Sequence, residues 1–306
     1  MIGVAFYKLG AFFARRLPER LAESITESLA VLQYFLRFRS RRNTGDNLRI
    51  VLEDRVGAEE IRILTRRVFS SFGRSIYYFL RLPFMSEREL SERCDYNGID
   101  RVVRGAGGNV GFIFVGPHLG SWEIGGACLA RLGTGLVTVA LPHPSGRVTR
   151  FFNERREMVG VQCSSLRDSA HALREALRAG KSVALLIDRV YGGSTGVFRW
   201  FGRDVELPLG HVALAVRYRV PILTTACTFD HRGGFKFVFG GPHHPRSDVG
   251  SREAMLDLQE KCIADMTSFV REYPEQWFHF YPLGTRPNQN HVNRRARKDS
   301  GSSARL

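Results

Sequence analysis

The 306-residue sequence has no apolar run of the about 20 residues that a membrane-spanning helix requires. Its most apolar end, residues 1–14, carries Lys8 and stops at Arg15 and Arg16, so an interfacial helix is expected there. Positive charge follows the apolar stretch and no small-residue cleavage site stands out, which argues against a secretory signal. Cysteine is sparse: Cys94, Cys128, Cys163, Cys227 and Cys262 form no C-x-x-C, which excludes a disulfide framework or zinc knuckle and fits a reducing cytosol. The nine histidines make no H-E-x-x-H and no Cys/His cluster with ligand spacing, so neither a metal nor a cofactor is expected. Lysine is also scarce, limited to Lys8, Lys181, Lys236, Lys261 and Lys298 among 45 basic residues. The formal charge of +15 is therefore carried by arginine, whose planar fork suits phosphate, although an arginine-favouring genome gives the same bias. Such charge points to an anionic partner, whether nucleic acid, an anionic lipid surface or a phosphorylated substrate. No nucleic-acid-binding motif accompanies it, and no nucleic-acid partner is expected.

Two motif matches fail on their surroundings. Gly180-Lys181-Ser182 resembles the end of a phosphate-binding loop, but the required earlier glycine is Glu175 and the triplet follows a helix, not a strand. Gly192-Gly193-Ser194-Thr195-Gly196 has the letters of a nucleophile elbow, yet an extended aromatic stretch follows it where an elbow demands a helix. A serine hydrolase built on Ser194 is set aside, and a glycine-rich turn is expected.

With 43% hydrophobic residues the chain has enough apolar content for a full core. Residues 1–97 read as an N-terminal helical, membrane-associating segment, with Leu17, Leu21, Ile25, Leu29, Leu32, Phe35 and Leu36 recurring at helical spacing. That stripe packs on the protein's own core, or it meets a membrane together with Phe6, Phe12 and Phe13. Residues 98–286 alternate short apolar runs with helical stretches, the pattern of an α/β fold with a mostly parallel central sheet flanked by helices. Strands are expected at 110–115, 136–141, 183–187, 222–228 and 235–239, and helices at 121–132, 148–158, 165–179, 208–218 and 253–273. Residues 287–306 read as a basic disordered tail.

One segment, running from Gly116-Pro117-His118-Leu119-Gly120 into Ser121-Trp122-Glu123, carries chemistry. Placed between a strand and the first turn of a helix, the Glu123 carboxylate is expected to turn back to His118, fix its tautomer and stabilise the imidazolium. His118 is then suited to taking a proton from a hydroxyl near neutral pH, and the helix N-terminus offers amide donors to a developing oxyanion. The spacing also arises by chance, with Glu123 merely favouring a helix start.

The segment resembles the H-x4-D/E motif of the lysophospholipid acyltransferase-like superfamily. Within it the closest similarity is to the lipid A biosynthesis lauroyl/myristoyl acyltransferase family, which includes the phosphatidylinositol mannoside acyltransferases. Four more stretches agree: Asn47-Leu48, Arg156 through Gly160, Asp188-Arg189 with the glycine turn and Val197 through Gly202, and Pro274 through Phe280. Arg189 stands where the family commonly has glutamine and Trp200 where it has phenylalanine.

The resemblance implies a peripheral or monotopic O-acyltransferase at the cytoplasmic face of a bacterial inner membrane. Acyl carrier protein or acyl-CoA would be the donor, and a hydroxyl of a lipid A precursor-like glycolipid the acceptor. The acceptor hydroxyl, activated by His118 and Glu123, attacks the thioester directly. Arg156 and Arg189 are candidates for substrate phosphate, or are solvated charges. Asp188 and Glu206 are candidates for acceptor hydroxyls, Asp188 being equally suited to a structural place at a strand end. Phe198, Trp200 and Phe201 line an acyl channel or are plain core. A non-catalytic basic module binding lipid or nucleic acid is the alternative, and it leaves the setting of His118 unexplained.

Overall fold

In chain order the computed structural model, which describes residues 2–105, 111–133 and 135–284, begins with helices. These are α1 (Ile2–Arg16), α2 (Glu19–Leu36), α3 (Phe38–Val51), α4 (Ala58–Arg81) and α5 (Glu87–Arg93). Strands and helices then alternate as β1 (Cys94–Asp95), α6 (Asn97–Gly105), β2 (Ile113–Gly116), α7 (Trp122–Ala130), β3 (Leu136–Ala140), α8 (Gly146–Glu157), β4 (Val161–Ser165), α9 (Ser169–Arg178) and β5 (Ser182–Leu186). The hairpin β6 (Thr195–Trp200) and β7 (Arg203–Pro208) precedes α10 (Gly210–Tyr218), β8 (Ile222–Phe229), β9 (Phe235–His243) and α11 (Ser251–Glu272). Val110 and the tail at 287–306 lie outside the described residues.

Among the described residues the strands form a seven-stranded sheet in the order β1-β9-β8-β2-β5-β3-β4, parallel except for the β8–β9 pair. The α/β architecture expected from the alternation is present. The helix expected at 165–179 starts later, at Ser169, because residues 161–165 pair in parallel with β3. Val161-Gln162-Cys163-Ser164-Ser165 is polar at most positions, so neither period marks it as a strand. The stretch after the glycine turn is one arm of the β6–β7 hairpin.

Alternating strand residues divide the core. Phe114 and Leu136 face α7 and α8, together with Phe152, Cys227 and Phe237. Val115 and Val137 face the other side with Leu173, Leu177, Val212 and Leu258 of α9, α10 and α11. Parallel neighbours run in register, so Gly116 of β2 lies beside Leu186 of β5. The two chains leave the sheet side by side at its C-terminal edge, where open α/β sheets form crevices.

Of the two readings of the N-terminal helices, the outward-facing one fits most of their large apolar residues. Ala11, Ala14 and Ala22 enter the α7/α8 core, and Ala30 packs so closely on Gly73 of α4 that a Cβ there would stand 2.6 Å from the alanine's. The large residues point outward: Phe6, Leu9, Phe12 and Phe13 of α1, and Leu21, Ile25, Leu29, Leu32, Phe35 and Leu36 of α2. Exposure reaches 63% at Phe6 and 69% at Leu36. From Leu21 onward the leucine stripe therefore does not pack on the protein's own core, whereas Leu17 packs against it. A contiguous apolar face of this kind marks an interaction surface. None of the described helices is long and apolar enough to cross a membrane.

Candidate active site

The loop from β2 to α7 runs against β8, and two glycines permit the approach. A Cβ on Gly116 would sit 2.1 Å from the Thr225 carbonyl oxygen, and one on Gly120, at φ +63°, 2.1 Å from that of Cys227. Any side chain at either position would push the loop off the strand. The loop is fastened by the Ser121 amide donating to Cys227 O at 2.7 Å, the Gly120 amide to Gln276 O at 3.0 Å, and the Phe278 amide to His118 O at 2.9 Å. Gln276 is itself clamped to the Phe229 backbone, donating at 3.1 Å and accepting at 2.8 Å. Asn47 donates to the His279 and Tyr281 carbonyls at 2.8 and 2.7 Å. Asn47 of α3 and the 274–280 segment, which sequence places far apart, thus form one bracket behind His118.

His118 Nδ1–H donates to Asp188 Oδ1 at 2.5 Å. The carboxylate expected to do this was that of Glu123, and the structure corrects the pairing: Glu123 is turned toward α8 and grips Arg156. Arg156 Nε donates to Glu123 Oε2 at 2.9 Å and its Nη2 to Oε1 at 2.6 Å, with Trp122 Nε1–H adding a bond at 3.2 Å. Asp188, expected to bind an acceptor hydroxyl or to end a strand, is buried. Its other oxygen accepts the His118 amide and Trp277 Nε1–H, both at 3.1 Å. His279, which sequence reasoning left without a role, lies with Nδ1 3.7 Å from the same oxygen and stacks on Trp277 at 4.8 Å. Its position inside the closing Pro274–Phe280 stretch was the available signal.

Burial works against charge on Asp188, but His118, His279 and Arg189 outweigh it and hold the carboxyl well below its usual range. Burial, reinforced by Arg189, holds His118 below its ordinary 6.5 although Asp188 pulls the other way. The resting pair is a neutral imidazole with Nδ1–H on an ionised carboxylate. Nε2 then remains as the ring's proton acceptor, the arrangement a general base needs.

His118, Glu123, Arg156 and Arg189 all border one cavity of about 1090 Å³. Arg189 donates to the Phe278 carbonyl and lies 5.8 Å from the Tyr281 ring. On the α7 side of the sheet the cavity is an apolar arm walled by Phe114, Leu129, Leu136, Val161 and Phe237 and opened by Gly125 and Gly126. It also extends over the strand ends to the α9 and α10 side. Phe198, Trp200 and Phe201 do not line it. Trp200 is buried against Phe201 at 4.9 Å and Trp277 at 5.8 Å, and donates to Thr267 at 3.0 Å, while Phe198 packs in the same core. Aromatic strand residues are here core, not channel. Glu206, on β7, also lies off the cavity, and it accepts from Thr195 Oγ1 at 2.6 Å. No group of three metal-ligating side chains occurs among the described residues.

A family model described as bacterial lipid A biosynthesis acyltransferase matches residues 2–283. A phosphatidylinositol mannoside acyltransferase of Mycobacterium tuberculosis (strain CDC 1551 / Oshkosh) is 26% identical over 283 residues, 90% of this chain and 86% of the relative. The protein of the same description from Mycolicibacterium smegmatis is 25% identical over 284 residues, 90% of this chain and 89% of that one.

Proposed function

From the premise that this chain belongs to the bacterial lipid A biosynthesis acyltransferase family and is an acyltransferase acting on a lipid, we propose that it transfers a fatty acyl group from a thioester donor to a hydroxyl of a membrane glycolipid. The observation that carries the chemistry is the His118–Asp188 pair at the edge of a cavity with an apolar arm. Nε2 of His118 takes the acceptor's proton as its oxygen attacks the thioester carbonyl. The C–S bond breaks, and the same proton returns from the imidazolium to the leaving thiolate. Asp188 compensates the transient charge. Arg156, immobilised by Glu123, lines the same cavity as His118 and is assigned to the oxygen on which charge develops. Donors are acyl carrier protein or acyl-CoA. The relatives' names favour a glycosylated phosphoinositide acceptor, and the proposed setting is the cytoplasmic face of the inner membrane.

Lipid mass spectrometry of a strain lacking the gene tests this reading. A glycolipid missing one acyl chain that mild alkali removes from the wild-type lipid supports an O-acyltransferase. An unchanged lipid profile, with no transfer by the purified protein, overturns it.

The apolar arm is assigned to the acyl chain, and Gly126 measures it. A Cβ there would stand 3.7 Å from Val161, an ordinary contact, so the position admits a side chain, and Gly126→Leu, with its fold checked by Tm, is the variant to fill the arm. The ratio of kcat/KM for long over short acyl donors should drop by at least about tenfold, the scale of a lost methylene site. An unchanged chain-length profile would place the chain elsewhere.

The outward faces of α1 and α2 are assigned to the membrane surface. Deleting residues 1–16 would strip Ala11 and Ala14 from the core, so the cleaner variant is Phe12→Glu with Phe35→Glu and Leu36→Glu, all exposed. Binding to anionic vesicles should weaken by at least about tenfold, since one embedded phenylalanine side chain contributes about 1.5–3 kcal/mol. Salt should weaken the wild-type interaction through its arginines. Wild-type vesicle binding by the triple variant would remove this surface from the membrane.

A further inference from the structure

Beyond the site at His118 the cavity passes Ile187 and Tyr191 and opens as a groove between α9 and α10 on the opposite face of the sheet from α1 and α2. Leu173 and Leu214 wall this groove, and His211, in the first turn of α10, is buried in its floor. Arg167 precedes α9, Arg174 lies in it and Arg217 in α10. All three line the groove and are exposed. None of the three makes an ion pair among the described residues, whereas Arg178, one turn beyond Arg174, is held by Glu175 at 2.6 Å. Unpaired arginines on two facing helices, above an apolar wall and continuous with a reacting centre, are complementary to an apolar or amide-bearing chain that ends in a phosphate.

We propose that this groove binds the phosphopantetheine arm of the thioester donor, with Arg174 and Arg217 on its phosphate. The inference rests on the acyl-transfer reading and extends it to the donor. A lipid acceptor comes from the bilayer, on the side of α1 and α2. A water-soluble donor approaches from the other side, where α9 and α10 lie. The thioester then crosses the C-terminal edge of the sheet, its acyl chain descending on the α7 side and its thiol arm on the α9/α10 side, with the carbonyl beside His118. Burial pushes the His211 pKa down to about 3, so its imidazole is neutral, with one donor and one acceptor nitrogen, neither partnered by protein. As a lining residue of the groove, His211 is assigned to an amide of the arm.

Two sources share this phosphate, coenzyme A and a holo-acyl carrier protein. The full-length protein and its Arg174→Gln, Arg217→Gln and double variants are titrated by calorimetry with coenzyme A, with pantetheine, and with holo- and apo-carrier protein. Both arginines are exposed, so the variants should keep the wild-type fold, checked by Tm. Each substitution should weaken coenzyme A or holo-carrier binding by about tenfold, and the double variant further. Pantetheine, which lacks the phosphate, should bind wild type and variants alike. Whichever of coenzyme A and holo-carrier loses affinity names the source, apo-carrier controlling for the carrier surface. Undiminished affinity for both in the double variant, or an equal loss for pantetheine or apo-carrier, overturns the assignment. Failure of the acyl-transfer reading is distinguishable: arginine-dependent coenzyme A binding by a protein whose deletion leaves every glycolipid acylated overturns that reading and not the groove.

Discussion

His118→Ala should lower acyl transfer by about 10²–10⁴-fold, the usual contribution of a general base. Asp188→Asn should give a loss of similar size, because it removes the charge that compensates the imidazolium and permits the wrong tautomer. The double variant should be hardly worse than His118→Ala, since Asp188 acts on the reaction only through the imidazole. The pH dependence has a definite sign. His118 must be neutral to accept a proton, so kcat/KM should fall as pH drops through its pKa, which burial and Arg189 place below 6.5. In Asp188→Asn that acidic limb should move lower still, because the carboxylate that raises the His118 pKa is gone. Asp188 itself is depressed on folding. Its contribution to stability is present above its ordinary 3.8 and is lost as pH falls through the lower folded value. Wild-type rates in folded His118→Ala protein would remove the general base from the mechanism.

His118 was singled out from sequence but was paired with the wrong carboxylate, for a topological reason. The H-x4-E spacing is local, and it invites pairing of His118 with Glu123. The real partner arrives from β5, which lies beside β2 in the sheet. Gly116 and Leu186 are in register, so the residues two further along each chain, His118 and Asp188, emerge together. Parallel adjacency depends on strand order, and strand order is not written in spacing. Asp188 was nonetheless singled out, through the family resemblance of Asp188-Arg189 and as an acid near the glycine turn, but for an acceptor hydroxyl and not for His118. The N-terminal helices show the same limit from another direction. A leucine stripe at helical period reads alike whether it faces the core or faces outward. What distinguishes the two in α1 and α2 is the small residues on the other face, Ala11, Ala14, Ala22 and Ala30, which allow close packing on α4 and α8. The α/β alternation was readable because apolar strands and amphipathic helices of ordinary length carry strong local patterns. The polar strand β4 carries none.

Glu123 and Arg156 should behave as a second unit, separable from the first by stability. Their side chains are 10% and 18% exposed, and Arg156 is covered by Phe79 and Phe152 at 5.8 and 5.9 Å from its guanidinium carbon. Glu123→Ala leaves that cation without its carboxylate, and breaking a buried pair from one side costs about 3–5 kcal/mol. The variant should therefore lose both Tm and activity, and alone it says little about catalysis. Glu123→Leu combined with Arg156→Met replaces both charges by apolar groups of similar bulk, a change that is often neutral or stabilising. The double variant should recover the wild-type Tm. It should still transfer acyl groups about 10²–10³-fold more slowly, the size of the loss when one oxyanion donor is removed. The deficit should appear in kcat with little change in donor KM, because the interaction strengthens only as charge develops on the thioester oxygen. Arg156→Lys should fall between, keeping a charge but not the two-pronged grip on Glu123. A double variant with restored Tm and wild-type kcat would reduce the Glu123–Arg156 pair to a structural tie between α7 and α8, and would leave His118 and Asp188 as the whole of the chemistry.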